Sequence, residues 1–131
     1  MGQNDFLMYT YQFEKLDVWH MSKKLVIKVY TITKAFPADE KFGLVNQMRR
    51  AAVSVSSNIA EGSSRNTQKD QANFYGIAYS SLMELLNQLI ISNELTWIRS
   101  EELSDIRNDI EAVSFKINAL RKSILKNTNS I

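Results

Sequence analysis

Residues 100–126 read SEELSDIRNDIEAVSFKINALRKSILK, a stretch in which an apolar side chain recurs at every third or fourth position. This spacing keeps the apolar side chains on one face of an α-helix. Ser100 is a favourable N-cap, and the acidic first turns and basic last turns complement the helix dipole. The stretch therefore predicts a long amphipathic helix. Its predicted inward face consists of Leu103, Ile106, Ile110, Val113, Ile117, Leu120 and Ile124.

Three earlier segments carry the same periodicity. The first runs from about Asp17 to Ala35 and stops before Pro37, the only proline. The second runs over residues 39–61, and Gly62 followed by two serines supplies a C-terminal stop. The third follows the N-cap Thr67. The residues expected to face the core are Val18, Ser22, Leu25, Val29, Ile32 and Phe36 in the first, Val45, Met48, Ala52, Val55 and Ile59 in the second, and Phe74, Ala78, Ser81, Leu82, Leu85, Leu89 and Leu95 in the third.

Two features of these segments are irregular. Residues 52–56, AVSVS, also alternate as a strand would, but the helical spacing persists across the whole segment and no second strand is available for pairing. Helix is therefore the preferred interpretation. Gly76 lies inside the third segment, where it costs about 1 kcal/mol relative to alanine, and it indicates a close approach between two backbones.

The size and composition suit one globular domain. The chain has 131 residues, of which 44% are hydrophobic and 23% charged. Four amphipathic helices joined by short loops predict an all-α fold, an antiparallel up-down-up-down four-helix bundle spanning residues 1–131. We expect its core at about residues 13–126, with frayed termini that include the polar tail 127–131. The alternative is a helical hairpin pair that swaps or assembles between chains.

The sequence offers no recognisable catalytic or cofactor chemistry. There is no cysteine, His20 is the only histidine, and the four glycines are isolated rather than grouped in a phosphate-binding loop. A di-iron bundle would need Glu-x-x-His pairs, which are missing. We therefore expect no enzymatic activity, no metal and no cofactor. The absence of a signal peptide or a membrane-length apolar run predicts a cytoplasmic protein without a membrane partner.

The charge is uneven along the chain. The net charge is +2, but residues 15–69 hold ten Lys/Arg against four Asp/Glu. A basic region of this kind favours a polyanion or an acidic protein partner, although a solvated helix surface has the same composition. Tyr9, Tyr11 and Phe13 could stack on bases or cover the end of the bundle. The residues predicted to bind nucleic acid are Lys24, Lys28, Arg49, Arg50, Arg65 and Lys69.

Several motifs resemble a known family. They are FEKLDVW at 13–19, FP at 36–37, EKFGL at 40–44, QMRRAAVS at 47–54 and SNIAEG at 57–62. They are similar to bacterial four-helix-bundle proteins that are encoded in intervening sequences of large-subunit ribosomal RNA genes, or alone, and are often labelled ribosomal proteins. The resemblance runs to about residue 95. In this chain Thr96-Trp97 stands where a Gly-Tyr pair is common in the family.

The resemblance implies a function. A relative, the accessory variability determinant of diversity-generating retroelements, is a pentamer with a basic surface that binds a reverse transcriptase and nucleic acid. By analogy, this chain is expected to be a homopentamer that contacts RNA, DNA or a ribonucleoprotein. The alternative is a structural oligomer that binds another protein, such as a reverse transcriptase, with Asn58 and Glu61 capping helices or bonding across an interface. Oligomerisation is also suggested by the small side chains Ala51, Ala52, Ser54, Ser56, Ser57 and Ala60 of the second helix.

Overall fold

The computed structural model describes residues 8–129, and their side chains through Lys126. Its main elements are α1 (Asp17–Thr33), α2 (Asn46–Ser63), α3 (Gln68–Glu94) and α4 (Ser100–Asn129). Short 3₁₀ turns precede α1 (Gln12–Lys15) and α2 (Ala38–Glu40), and this part of the chain contains no strand. The predicted all-α fold is confirmed, including helix at residues 52–56.

The C-terminal helix is longer than its apolar pattern. Helix α4 continues to Asn129, three residues beyond the predicted core limit at residue 126. Neither glycine nor proline follows Lys126, so no residue in this stretch breaks the helix. The rest of the predicted frayed termini falls on residues 1–7 and 130–131, which lie outside the described residues.

The helices form one closed, antiparallel arrangement. Each packs against the next in the chain, and α1 also packs against α4. Hydrogen bonds between neighbouring helices join the later half of one helix to the earlier half of the other, as an up-down-up-down bundle requires. These contacts are Thr33–Arg49, Met48–Ser92, Ala72–Arg121 and Lys28–Asp109.

Most of the residues predicted to face the core are buried. Ile110 and Ile117 are 2% and 0% exposed. Leu95 was wrongly assigned to the core: it is 46% exposed because α3 ends at Glu94 and Leu95 already belongs to the turn. At two further positions the buried residue is the neighbour of the predicted one. Thr33 is buried and Ile32 is partly exposed, and Tyr75 is buried and Phe74 is partly exposed.

The start of α2 was also predicted too simply. A single helix from Asp39 was expected, but the chain bends at Gly43 (φ −104°, ψ −113°) before α2 begins at Asn46. The Glu40 carboxylate accepts a hydrogen bond from the Leu44 backbone N–H (3.3 Å), which satisfies a donor left free by the bend. The bend leaves the Phe42 side chain 86% exposed.

Gly62 has a different role from the predicted helix stop. It lies within α2, which ends at Ser63, and none of the described glycines has a positive φ. A Cβ atom on Gly62 would lie 2.7 Å from Cε1 of Tyr75 and 3.1 Å from Cβ of Phe74. The glycine therefore permits the close approach of α2 and α3, and it is not a left-handed cap.

The turn between α3 and α4 contains a strained residue. Thr96 has φ 65°, a left-handed conformation that a β-branched residue rarely adopts. The turn is held by hydrogen bonds from the Trp97 N–H to the Ser92 carbonyl (2.9 Å) and from the Asn93 side chain to the Ile98 carbonyl (3.1 Å). Glycine adopts this conformation without a steric penalty, so the strain at Thr96 comes from its side chain.

Candidate nucleic-acid interface

Charge is separated along the bundle axis. The antiparallel topology gathers the starts of α1 and α3 and the ends of α2 and α4 at one end, made of residues 8–25, 55–81 and 115–129. This end, here called the basic end, holds nine Lys/Arg against four Asp/Glu, a net charge of +5. The opposite halves of the helices hold seven Lys/Arg against nine Asp/Glu, a net charge of −2. The basic residues of the basic end are Lys15, Lys23, Lys24, Arg65, Lys69, Lys116, Arg121, Lys122 and Lys126.

Two open hollows meet at Arg121 and Leu125 of α4 and are together called the α3–α4 cleft. Their volumes are about 630 and 550 Å³. The smaller one also has residues from the start of α3 in its wall, and the larger one is lined by α4. The remaining lining residues are Thr67, Lys69, Asp70, Ala72, Asn73, Asn118, Lys122 and Lys126. Four cations thus line the cleft against one carboxylate.

That carboxylate is already bound. Arg65 Nε donates to Asp70 Oδ2 (2.9 Å), and Arg65 Nη1 donates to Glu61 Oε2 (3.1 Å). The hydrogen bond to Asp70, followed by that carboxylate's charge, raises the pKa of Arg65 above its ordinary value. The Arg65 guanidinium also lies 5.2 Å from the Phe74 ring centre. Arg65 therefore organises the loop between α2 and α3, with its charge largely compensated.

Lys28 is another predicted binding residue that is ion-paired. Its Nζ lies 2.5 Å from Asp105 Oδ2 and 2.6 Å from Asp109 Oδ2, which connects α1 to α4. Hydrogen bonds to Asp105 and then Asp109 raise the pKa of Lys28. Lys24, one helical turn away, is exposed and pairs with no carboxylate among the described side chains.

The adjacent arginines of α2 face different neighbours. Arg49 Nε donates to the hydroxyl of the buried Thr33 (3.0 Å), and its guanidinium lies 4.4 Å from the Tyr30 ring centre. Arg50 is exposed and lines a separate groove with Glu84. Arg49 thus ties α2 to α1, and these two arginines are far from the basic end, because Arg49 lies about 20 Å along α2 from Ser63, where the helix ends.

The six predicted residues are therefore distributed along the length of the bundle on a single chain. Arg65 and Lys69 lie at the basic end and Arg49 and Arg50 near the opposite end, whereas Lys24 and Lys28 adjoin one another on α1 and line one hollow. Sequence reasoning missed the cations of α4, which were interpreted only as complements of the helix dipole. The signal was available in the antiparallel topology, which places the last turns of α4 beside the start of α3. The residues missed are Lys116, Arg121, Lys122 and Lys126.

The aromatic residues before α1 divide between the two roles suggested by the sequence. Phe13 is half-buried and packs edge-on against Trp19, with ring centres 4.8 Å apart, so it covers the end of the bundle. Tyr9 and Tyr11 contact each other edge-on and are 76% and 60% exposed. Lys23 adds a cation 4.8 Å from the Trp19 ring centre. An exposed aromatic pair thus lies at the same end as the basic residues.

The single histidine has a structural contact. His20 Nε2 lies 2.6 Å from the Glu14 carbonyl oxygen, and since a carbonyl can only accept, Nε2 is the donor in this hydrogen bond. Within residues 8–129, no group of three or more His, Cys, Asp or Glu side chains has an arrangement that could hold a metal ion. No helix in this same part of the chain is long and apolar enough to cross a membrane.

The fold defines a class of protein, the small antiparallel four-helix bundle with a charged outer surface. Residues 14–119 match the family of 23S rRNA-intervening sequence proteins, and the chain belongs to this family. A similar fold occurs in a protein of unknown function from the S23 ribosomal protein family of Bacteroides thetaiotaomicron. The two structures superpose with a TM-score of 0.75 at 22% identity, over 80% of this chain and 98% of the other. No curated protein matches the sequence.

Proposed function

We propose that this protein is a non-enzymatic, oligomeric accessory protein that binds RNA through the basic end of its bundle. The observation that carries the proposal is the charge separation, +5 at one end against −2 at the other. Of the nine cations at the basic end, Arg65 alone is paired with a carboxylate among the described side chains. Unpaired cations are available to neutralise phosphates, which dominate the affinity of proteins for nucleic acids.

The exposed tyrosines favour single-stranded RNA. Tyr9 and Tyr11 present ring surface beside the basic end, where unpaired bases can stack on them. A duplex keeps its bases stacked inside and offers mainly phosphates and sugars. The family's association with 23S rRNA intervening sequences is consistent with an RNA ligand.

Oligomerisation is the second element of the proposal, with five copies as the expected number. Large apolar side chains are exposed on Phe42 before α2, on α2 at Val53 and on α3 at Ile77, at 86%, 39% and 41%. A contact between copies would remove them from water. Repetition of the basic end around a ring would combine weak sites through avidity. Light scattering should then give a mass several times the 15.0 kDa of one chain, and a monomer would contradict this element.

The first experiment compares RNA forms and salt. A fluorescein-labelled single-stranded RNA of about 20 nucleotides, its duplex and the matching DNA are titrated by anisotropy at salt concentrations from about 50 to 200 mM. We expect tighter binding to the single strand and a steep linear fall of log K with log salt concentration. Lack of binding even at low salt would exclude RNA binding by this route.

The second experiment locates the surface by charge reversal. The double variant Lys122→Glu with Lys126→Glu alters the basic end, and Lys34→Glu with Lys41→Glu makes the same change in net charge at the opposite end. All four side chains are exposed, so both variants should fold. We expect a much larger loss of RNA affinity for the first pair. Equal losses would show that net charge, and not the basic end, governs binding.

A protein scaffold that does not contact nucleic acid is the second candidate. The observation that favours it is Phe42, whose ring is 86% exposed at the end opposite the basic one. The partner would be another protein, such as a reverse transcriptase. Asn58 and Glu61, the other residues considered for this role, bond within the chain, to Ser54 and Arg65. Partner binding that is insensitive to salt, in a protein that binds no RNA, would support the scaffold.

A further inference from the structure

The Arg121 side chain of α4 packs against α3 at Gly76. A Cβ atom on Gly76 would lie 3.3 Å from Arg121 Nε and 3.6 Å from both Cζ and Nη2. Glycine is unfavourable inside a helix, and here its missing side chain leaves room for the guanidinium. The contact is therefore between a backbone and a side chain, whereas the sequence indicated two backbones.

The guanidinium is held by one of its nitrogens. Arg121 Nε donates to the Ala72 carbonyl oxygen (3.1 Å), although the two residues are 49 positions apart. That carbonyl lies in the first turns of α3. Nη1 and Nη2 have no hydrogen-bond acceptor among the described residues, and Arg121 has no carboxylate partner there. Because Nε is held and the two amino groups have no partner among the described residues, the forked guanidinium is fixed in place with Nη1 and Nη2 available to a ligand.

The residues around the Arg121 guanidinium favour a polyanion as the ligand. Lys69, Lys122 and Lys126 line the same cleft, and its one carboxylate, on Asp70, is bound by Arg65. A guanidinium fork matches two oxygens of a phosphate, and several lysines along a cleft match the repeated phosphates of a nucleic-acid backbone. The cleft also contains the Asn73 side chain.

From this geometry we infer that the α3–α4 cleft is a phosphate-binding site for the RNA backbone. In this site Arg121 donates to one phosphate through Nη1 and Nη2, and Lys69 and Lys122 contribute to the neutralisation of its neighbours. Gly76 is a positioning residue, because it determines where the guanidinium lies. The inference rests on the proposed RNA binding and assigns it to a residue and a cleft.

The test removes one charge at two places on the same helix. Arg121→Gln removes the proposed donor, while Arg107→Gln removes an exposed arginine from the opposite half of α4 with the same change in net charge. For the single-stranded RNA, we expect Arg121→Gln to raise Kd about tenfold and to reduce the salt slope by about 1. Arg107→Gln should stay within about twofold of the parent. Arg121→Lys, which keeps the charge but loses the fork, should lie between them.

A second variant tests positioning without any change in charge. Gly76→Ala adds a methyl group 3.3 Å from Arg121 Nε, so the guanidinium must shift. We expect RNA affinity to fall about threefold while the melting temperature stays the same or rises, since alanine favours the helix. If the substitution damaged the fold instead, both the RNA affinity and the melting temperature would fall.

The outcomes separate this inference from the proposed function. If the parent binds RNA with a steep salt slope but Arg121→Gln binds equally well, the cleft assignment is wrong and RNA binding stands. Equal losses for Arg121→Gln and Arg107→Gln would also overturn the cleft assignment, because only long-range charge would then matter. If the parent binds no RNA, both the proposed function and the cleft fail.

Discussion

Lys28 Nζ donates a hydrogen bond to Asp109 Oδ2 across 2.6 Å, which ties the middle of α1 to the third turn of α4. Asp105, one turn earlier, lies on the same amine. The two carboxylates compensate a lysine that the sequence placed among the nucleic-acid ligands. Its role in the structure is to connect the first and last helices of the bundle.

The Lys28 cluster predicts a pH-dependent contribution to stability. The pKa of Lys28 is raised above its ordinary 10.5, so the stabilisation is complete below that pH and is lost as pH rises through the folded value. Lys28→Met keeps the apolar stem, and because the groups are partly exposed we expect a loss of no more than about 1 kcal/mol at pH 7.5. Urea unfolding of both proteins should show this difference shrinking as the pH rises above 10.5 and through the raised pKa of Lys28.

RNA titration provides the control for Lys28. If its charge is compensated as described, Lys28→Met should bind the single-stranded RNA within about twofold of the parent. A loss of RNA affinity as large as that of Arg121→Gln would show that Lys28 belongs to the binding surface.

The predicted core face of α4 can be tested with two isoleucines. Ile110 and Ile117 are 2% and 0% exposed, so Ile110→Ala or Ile117→Ala should each lower the free energy of unfolding by about 2–5 kcal/mol. Phe115 lies on the same helix but is 66% exposed, and Phe115→Ala should change stability by no more than about 0.5 kcal/mol. Chemical denaturation measures all three. Similar losses at Phe115 and Ile117 would contradict the orientation of α4.

A side chain at position 62 should destabilise the fold, because it would collide with Tyr75. The added Cβ of Gly62→Ala would lie 2.7 Å from the Tyr75 ring, so we expect a loss of about 1–3 kcal/mol despite alanine's better helix propensity. A double-mutant cycle distinguishes this from a capping role. The cost of Gly62→Ala should fall in a Tyr75→Leu background, whereas a backbone conformational penalty would persist unchanged.

Thr96 offers a stabilising substitution. Because its φ of 65° is costly for a β-branched residue, Thr96→Gly should raise the free energy of unfolding by about 1 kcal/mol. Thermal unfolding checks the change. Thr31→Gly, in the exposed helical part of α1, should instead lower stability, since glycine there only weakens the helix. A loss in both variants would argue against relief of strain at Thr96.

Substitution of the two adjacent arginines of α2 should affect stability differently. Arg49→Ala removes the bond to buried Thr33 and the stacking on Tyr30, so we expect a loss of about 1–2 kcal/mol. Arg50→Ala removes an exposed side chain and should be nearly neutral. Denaturation and RNA titration of both single variants would distinguish structure from binding. Reversal of both charges together would mix the two effects.

The fold could be predicted because it depends on a local property. Apolar spacing of three and four over residues 17–35, 39–61, 68–95 and 100–126 requires a buried face on each helix, and four such faces are satisfied by a bundle. The motif at 47–54 also identified the family correctly. The errors at Leu95 and Gly43 lie at helix ends, where the chain leaves the periodic pattern.

The candidate site depended on distances that the sequence does not contain. Helical periodicity says which side chains share a face, but it does not say which carboxylate lies opposite Lys28 or which helix lies beside Arg121. Those contacts arise when antiparallel packing brings residues 72 and 121, or 28 and 109, within hydrogen-bond range. The sequence alone therefore determined the helices and their buried faces. Tertiary structure decided which cations are compensated and which remain free at the basic end, because electrostatic pairing acts across space and not along the chain.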